Sequence, residues 1–413
     1  MAKWNNIYNP NEIADRVDKA KNVNKNGKVS FKGFEHYEYT VVLNSMVIMD
    51  ESIPELEKNR IVKQATFKAA DKGKIDSQTL LAEINRLESE YLKRPERKFK
   101  LVTSISVDRF CMLKAKKVNN CTINFKSSLS STYLKAISEI FDSASHSIIG
   151  NIPKNYKSII ITLNAKSDAD AANKALDSID LIRGIWNLCE NRRHGIRISS
   201  GKRKPVNKFI LGPLHTLHEP DGKLATKTWW YDPEYVYQVD PFNPSKDIEK
   251  IYKFENTVRK LLDKNKYSKE IVSAILRYTR ALDLTNWEDA FLRLWSVLEH
   301  LTATGPNDSY NITIRRAAFI YGGDEYSRQV LTHLKDYRNR TVHAGSENHE
   351  IQAYMYQLKR FVESLLEFHL LNKFGFNSLN EVSTILDLPC NRDTLCKRRE
   401  ALIYAEKFLG YRK

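Results

Sequence analysis

Apolar positions recur with two periods along this chain, and the dominant period changes once. Phe99 to Val107, Cys121 to Phe125 and Tyr156 to Leu163 are short runs rich in apolar and β-branched residues, the pattern of buried strands. Tyr39 to Met46 reads as a strand too, within an otherwise polar stretch of turns over 1–52. Two further strands are predicted around Ile196 and at Phe209 to Leu211. Between these runs the spacing is helical. Ser52 and Ile53-Pro54 open one helix, and Ser77 opens another whose stripe is Leu80, Leu81, Ile84 and Leu87. Leu134 to Ile148 is amphipathic, and Asp168 to Cys189 repeats Ala171, Ala175, Ile179 and Ile182 near 3.6 residues. Residues 1–240 are therefore expected to be α+β.

From Tyr231 to Ser245 the periodicity lapses and three prolines appear, Pro233, Pro241 and Pro244, which predicts a domain junction. After it the strand signal disappears. Helices are predicted at 246–265, 268–284, 287–304, 312–321, 324–343 and 348–371, an all-α bundle over 246–374. Ser268 and Asn286 stand where N-caps belong, with Glu288 and Asp289 in the first turn after Asn286. Tyr354, Leu358, Phe361, Leu365 and Phe368 form a stripe that should face the bundle core. The tail, 375–413, suggests one or two short helices.

Composition narrows the partners. The chain has 413 residues and a formal charge of +16, with 42% hydrophobic residues, enough for real cores. The surplus favours polyanions, nucleic acid first and anionic membrane second. It is unevenly placed: residues 1–250 hold 41 basic and 30 acidic side chains, residues 251–372 only 17 and 15. No apolar run approaches the roughly 20 residues that span a bilayer, and Met1 to Asn6 lacks the apolar segment of a secretory signal. A soluble, cytoplasmic protein is expected, with no membrane partner. The five cysteines, Cys111, Cys121, Cys189, Cys390 and Cys396, are scattered and read as buried free thiols.

The string most suggestive of chemistry is Lys335 to Gly345, read as a helix end with Gly345 as its stop. Asn339 and His343 are four apart and share a face, whereas Arg338 and His343 diverge by about 140° around an ideal helix. A guanidinium forks onto phosphate oxygens and stabilises charge developing there, and an imidazole exchanges protons near neutrality. Together they suffice for phosphodiester cleavage without a metal. By spacing alone the alternative stays open: an arginine on a solvated face, and a histidine capping the last carbonyls of its helix.

Tyr337-Arg338-Asn339, then Val342-His343 and Gly345, resembles the Arg-x4–6-His signature of HEPN domains, in particular the ApeA-like subgroup of bacterial antiviral proteins. Phe291 to Glu299 is similar to that subgroup's apolar helix ending in Leu-Glu, and Ile312 to Ala318 to its basic-then-small helix. The resemblance covers roughly 250–372; the region before it resembles no family. It implies a HEPN-like bundle and a metal-independent endoribonuclease of defence or toxin type, built as a homodimer and needing no cofactor. Carried onto this chain, His343 becomes the acid/base and Arg338 the phosphate clamp, and Asn339 positions the RNA or the histidine. Glu299 orients one of these groups, unless it is a surface carboxylate paired to Arg293 or Arg315. The RNA would be cut by its own 2′-OH, with transfer RNA one candidate substrate. A non-catalytic HEPN-like scaffold binding RNA or nucleotide, or an antitoxin-type partner, is the alternative, and a DNA-binding regulator using the tail helices a third.

A second feature is basic. Arg192, Arg193, Arg197, Lys202, Arg203, Lys204 and Lys208 crowd into one stretch, with Trp229, Trp230, Tyr231, Tyr235 and Tyr237 following. Cations for phosphates and rings for bases suit RNA, and Arg340 adds a cation beside the proposed site. The alternative is a solvated loop and core aromatics. His215-x-x-His218-Glu219, between Pro213 and Pro220, is read as a loop and not a metal site. Asn22-x-Asn24-x-Asn26-Gly27 lacks the carboxylate of a calcium loop at its twelfth position, where Gly33 stands. No phosphate-cradling glycine motif occurs.

Overall fold

The computed structural model describes residues 1–24, 29–31, 33–143, 153, 155–192, 204–232, 235, 240–305, 307–344 and 350–411, and at 33, 35, 36, 141–143 and 341–344 the backbone alone. The first ninety residues close on a core of their own. Their order is β1 (Lys3–Trp4), α1 (Pro10–Ala20), β2 (Lys21–Val23), β3 (Val29–Phe31), α2 (Gly33–Met46), β4 (Val47–Ile48), α3 (Glu55–Asp71) and α4 (Ser77–Lys93). Strand β1 pairs antiparallel with β4, and β2 with β3. Val17, Leu43, Ile61, Val62, Leu80 and Ile84 pack inside. Helix α2 corrects the strand expected at Tyr39 to Met46. Tyr39, Leu43 and Met46 turn toward the core while Val41 and Val42 are exposed, so the helical period outweighed the β-branched composition.

The second unit begins with β5 (Arg97–Asp108), β6 (Lys116–Val118), β7 (Cys121–Lys126), α5 (Ser131–Ser143), β8 (Tyr156–Ala165), α6 (Asp168–Asn191), β9 (Leu214–His218) and β10 (Leu224–Tyr231). Six strands form one antiparallel sheet in the order β10-β9-β5-β8-β7-β6. Helix α5 delivers Tyr133, Ala136 and Ile140 at helical spacing to the interior; residues 144–148 of the predicted helix lie outside the described ones. The strand expected around Ile196 also lies outside them. Phe209 to Leu211 forms no strand. The Asn187 side chain bonds the backbone N–H of Lys208 and Phe209 and, with Arg183, the carbonyl of Phe209, while Ser106 Oγ accepts from Ile210, and only Leu211 bridges to Ile105. His215 to His218 is the buried strand β9, not a loop, because β5 and β10 flank it and take up its backbone groups.

Eight helices follow: α7 (Ile248–Lys264), α8 (Ser268–Leu282), α9 (Trp287–Leu301), α10 (Tyr310–Phe319), α11 (Glu325–Ala344), α12 (Ile351–Leu371), α13 (Leu379–Leu386) and α14 (Arg392–Phe408). Their predicted positions and order are those observed, and two helices occupy the tail. Among the described residues none is long and apolar enough to cross a membrane. The segment at 240–246 parts no cores. Phe242 bonds through its backbone to Ser106 and Asp108 of β5, and one hydrophobic core runs from Phe99 to Leu386. Helix α6 is the shared element, buried on almost every face between sheet and bundle, and its buried polar side chains Asp180, Arg183 and Asn187 are taken up by hydrogen bonds. Gly184 admits α8: a Cβ there would collide with Thr279 Oγ1. α13 adds Val382 and Leu386 to the core, whereas α14 buries nothing.

One guanidinium ties these parts together. Arg183, 3% exposed, reaches Asp180 at 2.6 Å on its own helix, Asp283 at 3.0 and 2.8 Å just beyond α8, and the Phe209 carbonyl at 3.2 Å. Burial alone would raise the Asp180 carboxyl, but Arg183 and Arg280 outweigh it and hold it below the usual range. Removing one partner of such a network strands buried charge. Arg183→Ala is expected to cost about 3–5 kcal/mol in denaturant unfolding.

His215 and His369 are buried and neutral, as is His218, whose ring burial also holds below its ordinary value. His369 donates from Nε2 to the Leu301 carbonyl (2.8 Å) and accepts at Nδ1 from the Tyr267 hydroxyl (3.1 Å). His215 shares its Nδ1 with Thr103 Oγ1 at 2.7 Å. Burial pushes both rings down to about 4. Unfolded, they take protons near 6.5, so between about pH 6.5 and 4 the unfolded chain binds more protons and stability falls as pH falls. Melting temperature should drop across that window, and the drop should be shallower in His369→Gln; an equal slope in both proteins refutes the assignment.

Candidate active site

Helix α11 is oriented by its buried residues Leu331, Leu334 and Tyr337. The Tyr337 ring is wedged between Phe291 of α9 (5.1 Å, 89°) and Tyr354 of α12 (5.0 Å). With that face turned inward, Arg338 and Asn339 come out half-buried and Arg340 exposed. The Arg338 guanidinium lies 4.7 Å from the centre of the Tyr310 ring. Tyr310 opens α10 behind its N-cap Ser309 and sets its ring edge-on to Trp295 of α9 at 6.3 Å. Trp295 is fully buried, stacks with Phe291, and donates its indole N–H to Glu299 at 2.8 Å. Three helices thus converge on one aromatic pair, with Arg338 at one end and Glu299 at the other.

The surrounding charges are spent elsewhere. Arg315 and Arg316 both bind Asp387, at 2.6 and 2.8 Å, and Arg316 also donates to the carbonyls of Thr302 and Ala303. Asp387 is pulled down to about 2, chiefly by its hydrogen bond from Arg316. The alternative that pairs Glu299 with Arg293 or Arg315 is therefore not what is observed; its partner is the indole. Among the described residues no carboxylate lies within ion-pair distance of Arg338, which rests on the Tyr310 ring. The last turn of α11 carries His343 five residues after Arg338, on a helix continuous to Ala344, and its side chain lies outside the described ones.

The predicted RNA-binding stretch is only partly visible. Arg192 ends α6 and pairs with Glu367 of α12, and Lys204 lies 3.8 Å from Asp240. Arg193, Arg197, Lys202 and Arg203 lie outside the described residues. Lys208 pairs with Glu190 at 2.8 Å and packs on Phe242. Trp229, Trp230 and Tyr231 are half-buried on β10, an edge strand of the sheet. His215 and His218, three apart on β9, face opposite ways. His218 donates to the Gly222 carbonyl and accepts from Thr216, each at 2.8 Å.

A second polar centre went unread in the sequence. A cavity of about 450 Å³ beside the Arg183 network is lined by Asp180, Asp283, His215 and Arg280. Asp180 and Arg183 are three apart on α6, an ordinary spacing for polar residues on a helix, and it is the burial of that helix that sets them apart. Comparison with models of known protein families, with curated proteins and with solved structures finds no match to this chain.

The Arg338–Tyr310 contact is measurable. Tyr310→Leu keeps bulk and removes the ring, and should cost about 0.5–1 kcal/mol of stability through Arg338. The same substitution in an Arg338→Ala background should lack that increment, and a coupling of zero in the double-mutant cycle rejects the contact.

Proposed function

We propose that this chain is an endoribonuclease of the HEPN type, of defence or toxin kind, working as a homodimer through its helical bundle. The single observation that carries the reading is Arg338. It sits half-buried, braced on Tyr310 with no carboxylate competing for it among the described residues, and lies five positions before a histidine at the end of the same helix. An arginine kept for structure is usually neutralised, as Arg183 and Arg316 are here; one held by a ring and left uncompensated is ready for an anion.

The reaction follows from those groups. The RNA 2′-hydroxyl attacks the adjacent phosphorus, and the bond from phosphorus to the 5′-oxygen breaks. His343 of one protomer takes the hydroxyl proton, and the partner's His343 returns one to the leaving oxygen. The products are a 2′,3′-cyclic phosphate and a 5′-hydroxyl. Arg338 meets the phosphate oxygens as their charge builds, and Asn339 holds the strand. Glu299 acts at one remove by fixing Trp295, and through it Tyr310 and Arg338. Pairing of two helix ends across the dimer brings together groups that point apart on one helix.

Purified protein incubated with cellular RNA in EDTA should yield fragments ending in cyclic phosphate and 5′-hydroxyl. His343→Ala should lower the rate by about 10²–10⁴-fold, with Arg338→Ala comparably impaired and Arg338→Lys partly active. Cutting that survives His343→Ala unchanged overturns the proposal. RNA bound but never cut would favour the non-catalytic scaffold.

A further inference from the structure

Glu255 of α7 is fully buried at the seam between sheet and bundle. It accepts from the Trp186 indole at 2.8 Å, binds Lys116 of edge strand β6 at 2.7 Å, and lies 3.6 Å from Arg259. Arg259 also donates to the Lys117 carbonyl at 2.6 Å. These bonds dock α7 alongside β6, and the two leave an open groove between them. It consists of two adjoining hollows, of about 790 and 510 Å³, that share Lys117 and Arg259.

The cations of the groove fall into two sets. Lys116 and Arg259 are tethered to Glu255, and Lys114 to Glu249 at 3.2 Å. Lys117, Lys253 and Lys260 are exposed, and among the described residues none has a carboxylate within ion-pair distance. Lys253, Asn256 and Lys260 follow the i, i+3, i+7 stripe of α7, so the helix presents one polar row to the strand. From Glu249 to Lys260 that row is about 17 Å long. Lys116 is held by Glu255. A lysine on an edge strand discourages sheet-to-sheet pairing, which accounts for Lys117. It does not account for Lys253 and Lys260 on the facing helix. Nor does the groove suit a bilayer, because Phe110 and Met112, the exposed apolar residues before Lys114, do not line it.

We propose that the β6–α7 groove binds the phosphodiester backbone of single-stranded RNA, with Lys117, Lys253 and Lys260 as its free phosphate contacts. The identity of the anion as RNA rests on the ribonuclease reading; the placement of the groove does not. Contacts to phosphate carry no base preference, so this surface holds the strand while the site at α11 cuts it.

The test separates holding from cutting. Binding is measured by fluorescence anisotropy with a single-stranded 2′-O-methyl oligoribonucleotide, which has no 2′-hydroxyl to attack. The variant Lys117→Gln/Lys253→Gln/Lys260→Gln should melt like the parent. It should lose roughly 10- to 100-fold in affinity at 0.1 M salt, and its slope of log K against log salt should flatten by about 2. A control of equal charge, Lys3→Gln/Lys63→Gln/Lys135→Gln, should bind as the parent does. Equal affinity and slope in both variants overturn the groove, even where cleavage still needs His343. A groove-dependent slope together with cleavage indifferent to His343 leaves the groove standing and removes the ribonuclease. Groove-dependent binding to phosphatidylserine vesicles but not to RNA overturns the proposal in favour of a membrane surface.

Discussion

The buried guanidinium of Arg183 is the constraint on which the rest of the second unit depends. A charge taken out of water is tolerated only where partners satisfy it in full. Here those partners come from three places: Asp180 on the same helix, Asp283 just beyond α8, and the carbonyl of Phe209 on the segment leading to β9. Satisfying it therefore sets where α8 and the 205–211 segment lie against α6. Gly184, the next residue, removes the side chain that would hold α8 away. Sheet and bundle become a single packed body, and the helices that carry Arg338 are referenced to the sheet through α6, α8 and α9.

The same contrast between satisfied and unsatisfied charge runs through the surface. Lys116 and Arg259 answer Glu255, Arg315 and Arg316 answer Asp387, and Arg280 answers Asp177 and Asp180. These cations build structure. Arg338, Lys117, Lys253 and Lys260 have no carboxylate partner among the described residues, and it is these that the functional reading uses. A net charge of +16 is thus a poor guide to function until the cations with structural partners are set aside.

Legibility followed local pattern. The runs from Phe99, Cys121 and Tyr156 were recognisable because their β-branched content and their burial agree, and the bundle helices because each repeats an apolar stripe through its length. Tyr39 to Met46 misled because Thr40, Val41 and Val42 favour strands intrinsically, while Tyr39, Leu43 and Met46 answer to the core at helical spacing. His215 to His218 misled in the opposite sense. Two histidines between prolines look like a polar loop, but each ring finds a hydroxyl, and His218 a carbonyl as well, inside the sheet. The prolines near 240 marked a change of secondary structure and no change of core.

The sequence by itself determined the strands beginning near Phe99, Cys121 and Tyr156, the order of the bundle helices, the basic balance, and the Arg338–His343 string, because each is written in neighbouring residues. It could not determine that α6 is buried on almost every face, that Tyr310 lies under Arg338, or that Lys117, Lys253 and Lys260 border one groove. Those are contacts between segments distant in the chain, set by which surfaces exclude water and which charges find partners. Only the tertiary structure sorted the cations, because whether a lysine or arginine is spent or free depends on the carboxylate that folding brings beside it.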